Sequence, residues 1–123
     1  MLHPGHISFL EKARKAGDVL IILLESDRKV KELKGPERPV HNQKMRATVL
    51  SALEAVSFVA CLPYLSKDSD YDEMLSKIKP DVIALTKGYG EKHHKRAARL
   101  TGANLKYIAR IGNYSTSNIL EAK

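Results

Sequence analysis

Short apolar runs of strand type alternate with helical patterns along the chain, and this alternation constrains the fold more than any other feature. The run VLIILL at residues 19–24 has no polar position, as is typical of a strand buried on both faces of a parallel sheet. Further runs lie at 57–62, 81–85 and 105–110. Because helical segments separate the four runs, the sequence predicts a doubly wound, Rossmann-like α/β domain with a parallel sheet.

The helix patterns also predict which side chains face the core. The first helix is predicted from His6 to a C-cap glycine, Gly17, and a longer helix begins at the N-cap residue Asn42. Other helices are expected over 28–34, 69–79, 91–101 and 115–122. The side chains expected on inner faces are Ile7, Leu10, Ala13, Met45, Val49, Leu53, Val56, Met74, Leu75 and Ile78.

The composition indicates a globular domain rather than a disordered or membrane-spanning chain. With 123 residues, 43% of them hydrophobic and 28% charged, the chain suits one domain over residues 1–123. No apolar run approaches the length needed to cross a bilayer. The single cysteine, Cys61, lies in the apolar stretch FVACL, which favours a reducing, cytoplasmic setting and a structural thiol.

The net charge of +7 predicts attraction to polyanions without saying which. Nucleic acid, membrane phosphate and a nucleoside triphosphate are all compatible with it. Nucleic-acid binders usually interleave basic residues with exposed aromatic ones, whereas this chain has five Tyr, two Phe, no Trp and no such stripe. Nucleic acid is therefore a disfavoured partner, and no membrane partner is expected.

The tetrapeptide HPGH at residues 3–6 is the first candidate site. His3 and His6 lie three residues apart, so a helical turn places both on one face. Gly5 lets a phosphate approach the backbone, and the N-terminus of the following helix favours an anion. Two histidine donors suit a phosphoryl group that gains negative charge. The alternative is a frayed terminus with two solvated histidines, and a metal site is disfavoured because no third ligand lies nearby in sequence.

Three other polar stretches have both a functional and a structural interpretation. The hydroxyls of YSTS at 114–117 are either a helix N-cap or, with Arg110 before them, a cradle for phosphate oxygens. The basic loop at 31–40 is most simply solvated, and so is the basic helix face at 91–99.

Taken together, these stretches resemble the cytidylyltransferase-like nucleotidyltransferases, whose signature is H-x-G-H. HPGH matches the signature, and GDVLIILLESD at 17–27 is similar to the family's second strand with the Ser-Asp pair that ends it. STSNIL at 115–120 resembles the C-terminal hydroxyl-rich motif, and VKELKG at 30–35 is similar to the archaeal FAD synthase version. Glycerol-3-phosphate cytidylyltransferase and the heptose-phosphate adenylyltransferases belong to the same family, and the likeness covers nearly the whole chain.

The resemblance implies that an acceptor phosphate oxygen attacks the α-phosphorus of ATP or CTP and that pyrophosphate leaves, with no covalent enzyme intermediate. His3, His6 and Lys34 would be the catalytic residues that stabilise or hold the phosphates. The implied nucleotide-binding residues are Gly5, Thr86, Lys87, Gly88, Arg110, Ser115 and Thr116. Mg²⁺ would neutralise the triphosphate with no protein ligand assigned to it, and a homodimer is expected.

The chain departs from the family pattern at three places. Family members have a strand and a G-T-F-D stretch before the two apolar residues that precede the first histidine, and here Met1 and Leu2 occupy those two positions. We therefore expect an N-terminally truncated chain that lacks the family's first strand and leaves a central sheet position empty. Residues 86–88 stand where the family often has Gly-x-Asp beside the base. Glu54 and Ser57 replace an Arg and an Asp of a dimer-associated motif.

The leading hypothesis is a nucleotidyltransferase that acts on a small phosphorylated acceptor, with ATP favoured over CTP because of the VKELKG likeness. The alternative is a catalytically inactive, basic nucleic-acid-binding or regulatory domain on the same fold. The +7 charge and the departures at the N-terminus motivate that alternative.

Overall fold

The computed structural model describes residues 4–86, 88 and 90–108, and its elements alternate as the sequence predicts. The helices are α1 (Pro4–Arg14), α2 (Asp27–Lys34), α3 (Gln43–Ser51), α4 (Asp68–Ile78) and α5 (Glu91–Thr101). The strands are β1 (Ile21–Leu24), β2 (Phe58–Cys61), β3 (Val82–Leu85) and β4 (Asn104–Tyr107). The helix predicted over 115–122 lies outside the described residues. No helix within the described ranges is long and apolar enough to cross a membrane.

The strands form two parallel pairs, β1 with β2 and β3 with β4, which confirms the α/β class. Leu24 is opposite Cys61 in the first pair, and Leu85 is opposite Tyr107 in the second. Over the part of the chain that the structure describes, the two pairs are separate sheets and no ladder joins β1 to β3.

One hydrophobic core connects the two strand pairs. Phe9 and Leu10 of α1 pack in a cluster with Ile22 and Leu24 of β1, and Ile108 at the end of β4 belongs to the same cluster. All five side chains are at most 4% exposed. The core therefore ties α1 to both sheets and fixes where the strands end relative to the start of α1.

The predicted inner faces of two helices are confirmed only in part: Leu10, Ala13, Leu53 and Val56 pack in the core, whereas other predicted residues are exposed. In α1 the predicted inner residue Ile7 is 39% exposed, whereas His6 and Phe9 are buried. The inner face was predicted from apolar residues alone, and such a pattern selects Ile7 and leaves out the neighbouring histidine.

In α3 the predicted inner residues Met45 and Val49 are about half exposed, at 50% and 51%. Within α3 the inward side chains are instead Leu50, which is buried, and Ala47, which packs against the core and lies three residues earlier.

Strand ends are more open than predicted. Ile21 is 42% exposed, so β1 is buried only from Ile22 onward. Cys61, predicted as a structural thiol, is exposed, and Phe58 at the other end of β2 is 62% exposed. Both residues belong to β2. Within the described residues β2 pairs only with β1, so its other edge has no neighbouring strand there.

The caps follow the sequence closely. The Asn42 Oδ1 atom accepts a hydrogen bond from the Met45 N–H at 2.8 Å, which confirms the predicted N-cap of α3. Ser26 caps α2 in the same way through the Lys29 N–H at 3.1 Å. Gly102 ends α5 with a φ of 78°, a left-handed conformation that glycine adopts without steric cost.

Candidate functional site

Five predicted site residues lie in the described ranges, and the other five do not. The described ones are Gly5, His6, Lys34, Thr86 and Gly88. His3, Lys87, Arg110, Ser115 and Thr116 lie outside the described residues, so their roles stay predictions.

His6 lies in the first turn of α1 and is only 2% exposed. This burial excludes the solvated-terminus alternative for His6. The cause is the pitch of the helix, since His6 shares a face with Phe9, Leu10 and Ala13, all of which are buried. Gly5 beside it is buried as well. The second histidine of HPGH is therefore held by the protein interior.

Thr86 follows β3 directly and is 3% exposed. Its Oγ1 atom is buried and has no hydrogen-bond partner in the described part of the chain. A buried hydroxyl is usually hydrogen-bonded, so the Thr86 Oγ1 atom is able to accept or donate a further hydrogen bond. Thr86 thus lies at the carboxyl end of a parallel strand, the end at which α/β sheets bind ligands.

The backbone N–H of Gly88, in the turn after Thr86, already donates to a carboxylate of the protein. Gly88 has a φ of 87°, and its N–H donates to the Glu91 Oε1 atom at 3.1 Å. This bond, with the ion pair of Glu91 to Lys95 at 3.2 Å, lowers the pKa of Glu91. A phosphate that used the Gly88 N–H would have to displace the Glu91 carboxylate, which the sequence prediction for Gly88 did not include.

Lys34 is exposed and is the last residue of α2. Since α2 has eight residues, Lys34 lies roughly 10 Å along the helix axis from its first residue, Asp27. The backbone of Lys34 is therefore at the end of α2 that is farther from β1, and its role stays a prediction.

The turn between β1 and α2 is fastened by α3. Gln43 Nε2 donates to the carbonyls of Leu24 at 3.0 Å and Leu62 at 2.9 Å, and so joins the ends of β1 and β2. Arg46 Nη2 donates to the Glu25 carbonyl at 3.1 Å and to Asp27 Oδ1 at 2.8 Å. These four bonds hold the backbone of the turn in place.

Glu25 in this turn is a site residue that the sequence reasoning missed. Its side chain follows the buried strand directly, is 3% exposed, and accepts a hydrogen bond at Oε2 from the Tyr71 hydroxyl at 2.6 Å. The Oε1 atom is buried with no partner among the described residues. Burial raises the pKa of the Glu25 carboxyl, and the Tyr71 bond and nearby cations only partly offset this. A charged residue immediately after VLIILL was the signal that could have found it.

Lys29 lies close to this carboxyl and to the rings of two tyrosines, Tyr64 and Tyr71. Lys29 Nζ lies 5.8 Å from the centroid of the Tyr71 ring and 5.0 Å from that of Tyr64. Arg28 stacks on the Tyr64 ring at 3.9 Å. The Lys29 side chain is only 12% exposed, although it pairs with Glu32 at 3.5 Å. Carboxylate, ammonium and aromatic surfaces thus meet where β1 ends.

Metal binding has no support from clustered ligands. In the ranges that the structure describes, no three His, Cys, Asp or Glu side chains converge so that they could hold an ion. The described residues therefore do not fit a protein-only magnesium cage, and Mg²⁺ remains an expectation tied to the triphosphate.

The Glu25 carboxyl makes stability depend on pH in a defined direction. A raised pKa means that the folded protein binds this proton more tightly than the unfolded chain, so the contribution of Glu25 to stability falls as pH rises above about 4.3. We expect Glu25→Gln, which mimics the protonated form, to stabilise the protein more at pH 7 than at pH 4.5. Urea unfolding at both pH values measures this. Glu37→Gln, in the exposed loop after α2, is the control, and an equal effect of both variants would contradict the prediction.

The comparisons with known proteins agree with this architecture. The cytidylyltransferase-like family model matches residues 1–121. The bifunctional protein HldE of Methylobacillus flagellatus is 40% identical over 122 residues, which are 98% of this chain and 24% of that protein. HldE of Helicobacter hepaticus is 42% identical over 123 residues, or 99% of this chain and 24% of the relative. The chain thus spans about a quarter of the length of these relatives.

A solved structure shows the same fold. The lipopolysaccharide core biosynthesis protein of Thermoplasma volcanium superposes with a TM-score of 0.67 at 24% identity, and the match covers 94% of this chain and 90% of that one. Because the family model matches nearly every residue, the chain belongs to the cytidylyltransferase-like family of nucleotidyltransferases.

Proposed function

We propose that this domain transfers a nucleotidyl group, preferentially AMP from ATP, to a phosphate oxygen of a small phosphorylated acceptor of the sugar type. Membership of the cytidylyltransferase-like family and the similarity to the HldE proteins support the reaction class. The observation that carries the proposal is the burial of His6 in the first turn of α1, where a rigidly held donor adjoins a helix N-terminus.

The reaction requires the protein to position the two substrates and to stabilise the negative charge that develops on the phosphates. The acceptor oxygen forms a bond to the α-phosphorus, the bond from that phosphorus to the bridging oxygen breaks, and pyrophosphate leaves with the electron pair. His6 donates a hydrogen bond to the phosphoryl oxygens as their negative charge grows. The positive end of the α1 helix dipole acts on the same charge. Because His6 is buried, it needs little reorganisation to do so.

The remaining roles complete the proposed site. Thr86 offers its buried Oγ1 to the nucleotide at the end of β3. The predicted phosphate ligands also include Lys34, Lys87, Arg110, Ser115 and Thr116. Mg²⁺ is proposed to accompany the triphosphate, and a homodimer is proposed as the assembly.

Pyrophosphate release tests the proposal. The chain, expressed within its complete open reading frame, is given ATP or CTP with Mg²⁺ and one acceptor from FMN, glycerol 3-phosphate and a set of sugar 1-phosphates. We expect the fastest release with ATP and a sugar 1-phosphate, with the nucleotidyl product identified by mass. If no nucleotide and acceptor pair gives pyrophosphate release, the proposed nucleotidyltransferase activity is overturned.

The same preparation separates the enzyme from the alternative of a basic nucleic-acid-binding domain. Saturable triphosphate binding at one site, measured by calorimetry, supports the enzyme. Salt-dependent binding to generic duplex or single strands without triphosphate binding would support the alternative.

A further inference from the structure

We propose that Glu25 is the residue that selects the acceptor, and that its buried carboxyl accepts a hydrogen bond from a hydroxyl of a polyhydroxylated acceptor phosphate. This inference rests on the proposed function and names the part of the substrate that is recognised. Glu25 directly follows β1, on the side of a parallel sheet where ligands bind. Its backbone is fixed through its own carbonyl by Arg46, and the preceding carbonyl is fixed by Gln43.

The hydrogen bonding of the carboxyl defines what is missing. One oxygen accepts the Tyr71 hydroxyl at 2.6 Å, and the other is buried without a partner in the described ranges. A buried charged acceptor without a hydrogen bond carries an uncompensated desolvation penalty. A donor that binds this oxygen removes that penalty, and the gain adds to its binding free energy. An ionised carboxylate accepts and does not donate, so the partner must carry an O–H or N–H group.

The charge of Glu25 excludes the phosphates as that partner. A phosphate group near neutral pH is anionic, and two like charges in a desolvated site repel each other. The triphosphate and the acceptor phosphate must therefore lie away from Glu25, and the uncharged part of the acceptor must face it. A sugar phosphate supplies such hydroxyl donors in the uncharged part of the molecule.

The surroundings suit such a molecule. The rings of Tyr64 and Tyr71 offer apolar faces to the C–H side of a polyol, and both contact the ammonium of Lys29. Lys29 places a positive charge near the carboxyl and so favours the ionised form that accepts a hydroxyl hydrogen bond. Tyr71 is only half-buried, so one side of the aromatic wall next to Glu25 reaches the protein surface.

The decisive experiment couples a change in the protein to a change in the acceptor. Initial rates with the best sugar 1-phosphate and with its monodeoxy analogues are measured for the parent and for Glu25→Gln. For the parent we expect one analogue to have a KM raised by about tenfold or more, the scale of one charge-assisted hydrogen bond. Glu25→Gln should raise the KM of the hydroxylated acceptor by a similar factor and leave the KM of ATP within about twofold. In this variant the hydroxylated acceptor and that deoxy analogue should have similar KM values.

Two comparisons keep the result interpretable. Glu37→Gln, with its carboxyl in an exposed loop, should leave every one of these constants unchanged. If Glu25→Gln does not fold, Glu25→Asp replaces it, because the shorter side chain keeps the charge while withdrawing the oxygen, and it should raise the same acceptor KM.

The outcomes distinguish this inference from the proposed function. A parent protein that releases no pyrophosphate with any acceptor overturns the proposed function, whatever Glu25 does. An active parent whose discrimination among the deoxy analogues is the same in Glu25→Gln overturns the role of Glu25 alone. A merely structural role would shift all acceptors and ATP together, and that result also counts against it.

Discussion

His6→Ala is expected to lower the turnover number by about a hundredfold or more, the scale measured for the loss of one donor to a developing oxyanion. The reason is that His6 acts on charge that exists mainly in the transition state, so its removal lowers kcat and kcat/KM together. The affinity for the triphosphate should change much less, because the N-terminus of α1 and the predicted basic ligands still hold its phosphates. Steady-state kinetics with ATP and calorimetric binding of ATP measure the two effects separately.

The burial of His6 adds a second expected effect. With 2% of its surface exposed, its replacement by alanine leaves a cavity beside Phe9 and Leu10. We expect a loss of about 2–4 kcal/mol in the free energy of unfolding, as for other large-to-small changes at buried positions. Rates must therefore be compared at a temperature where circular dichroism shows the variant to be folded. His6→Asn, which retains a polar side chain, should be less destabilised.

The control for His6 is another histidine of the same chain. His93 is exposed on α5, and His93→Ala should keep both the parental rate and the parental stability. If folded His6→Ala turns over as fast as the parent, His6 is only a core residue and the proposed chemistry loses its main donor.

The sequence predicted those parts of the structure that depend on local pattern. Strand–helix alternation and the caps at Asn42 and Gly102 depend on neighbouring residues, so they can be read from short windows. The inner face of α3 could not be read in this way. Two apolar stripes, one through Met45 and Val49 and one through Ala47 and Leu50, both fit a helical period, and only contact with β2 and the core selects the second.

The candidate site was predictable to a similar extent. HPGH identified His6 by its spacing and by resemblance, but its burial depends on tertiary packing of α1. Glu25 was passed over because a single charged residue after a strand resembles an ordinary loop residue. Its importance comes from Tyr71, which is 46 positions away and reaches it only in the folded chain. The Glu91 bond to Gly88 was missed for a different reason, since a carboxylate at a helix start is usually solvated.

Leu24→Ala is expected to reduce the free energy of unfolding by about 2–5 kcal/mol, which is a large share of the roughly 5–15 kcal/mol that stabilises a typical domain. Leu24 is 1% exposed and belongs to the cluster that joins α1, β1 and the end of β4. Shortening this side chain to alanine leaves a cavity in the core that connects the two sheets. Urea unfolding followed by circular dichroism measures the change as a lower midpoint with a similar slope.

The matched control is Leu33→Ala on α2, where the leucine is 58% exposed and its loss should change the unfolding free energy by no more than about 0.5 kcal/mol. Leu24 also precedes Glu25, and its carbonyl accepts the Gln43 bond that joins the ends of β1 and β2. A cavity at Leu24 should therefore loosen the turn that presents the Glu25 carboxyl, and the acceptor KM should rise in the folded variant while Leu33→Ala leaves it unchanged. Equal unfolding midpoints for the two leucine variants would show that the two sheets do not share the core described above.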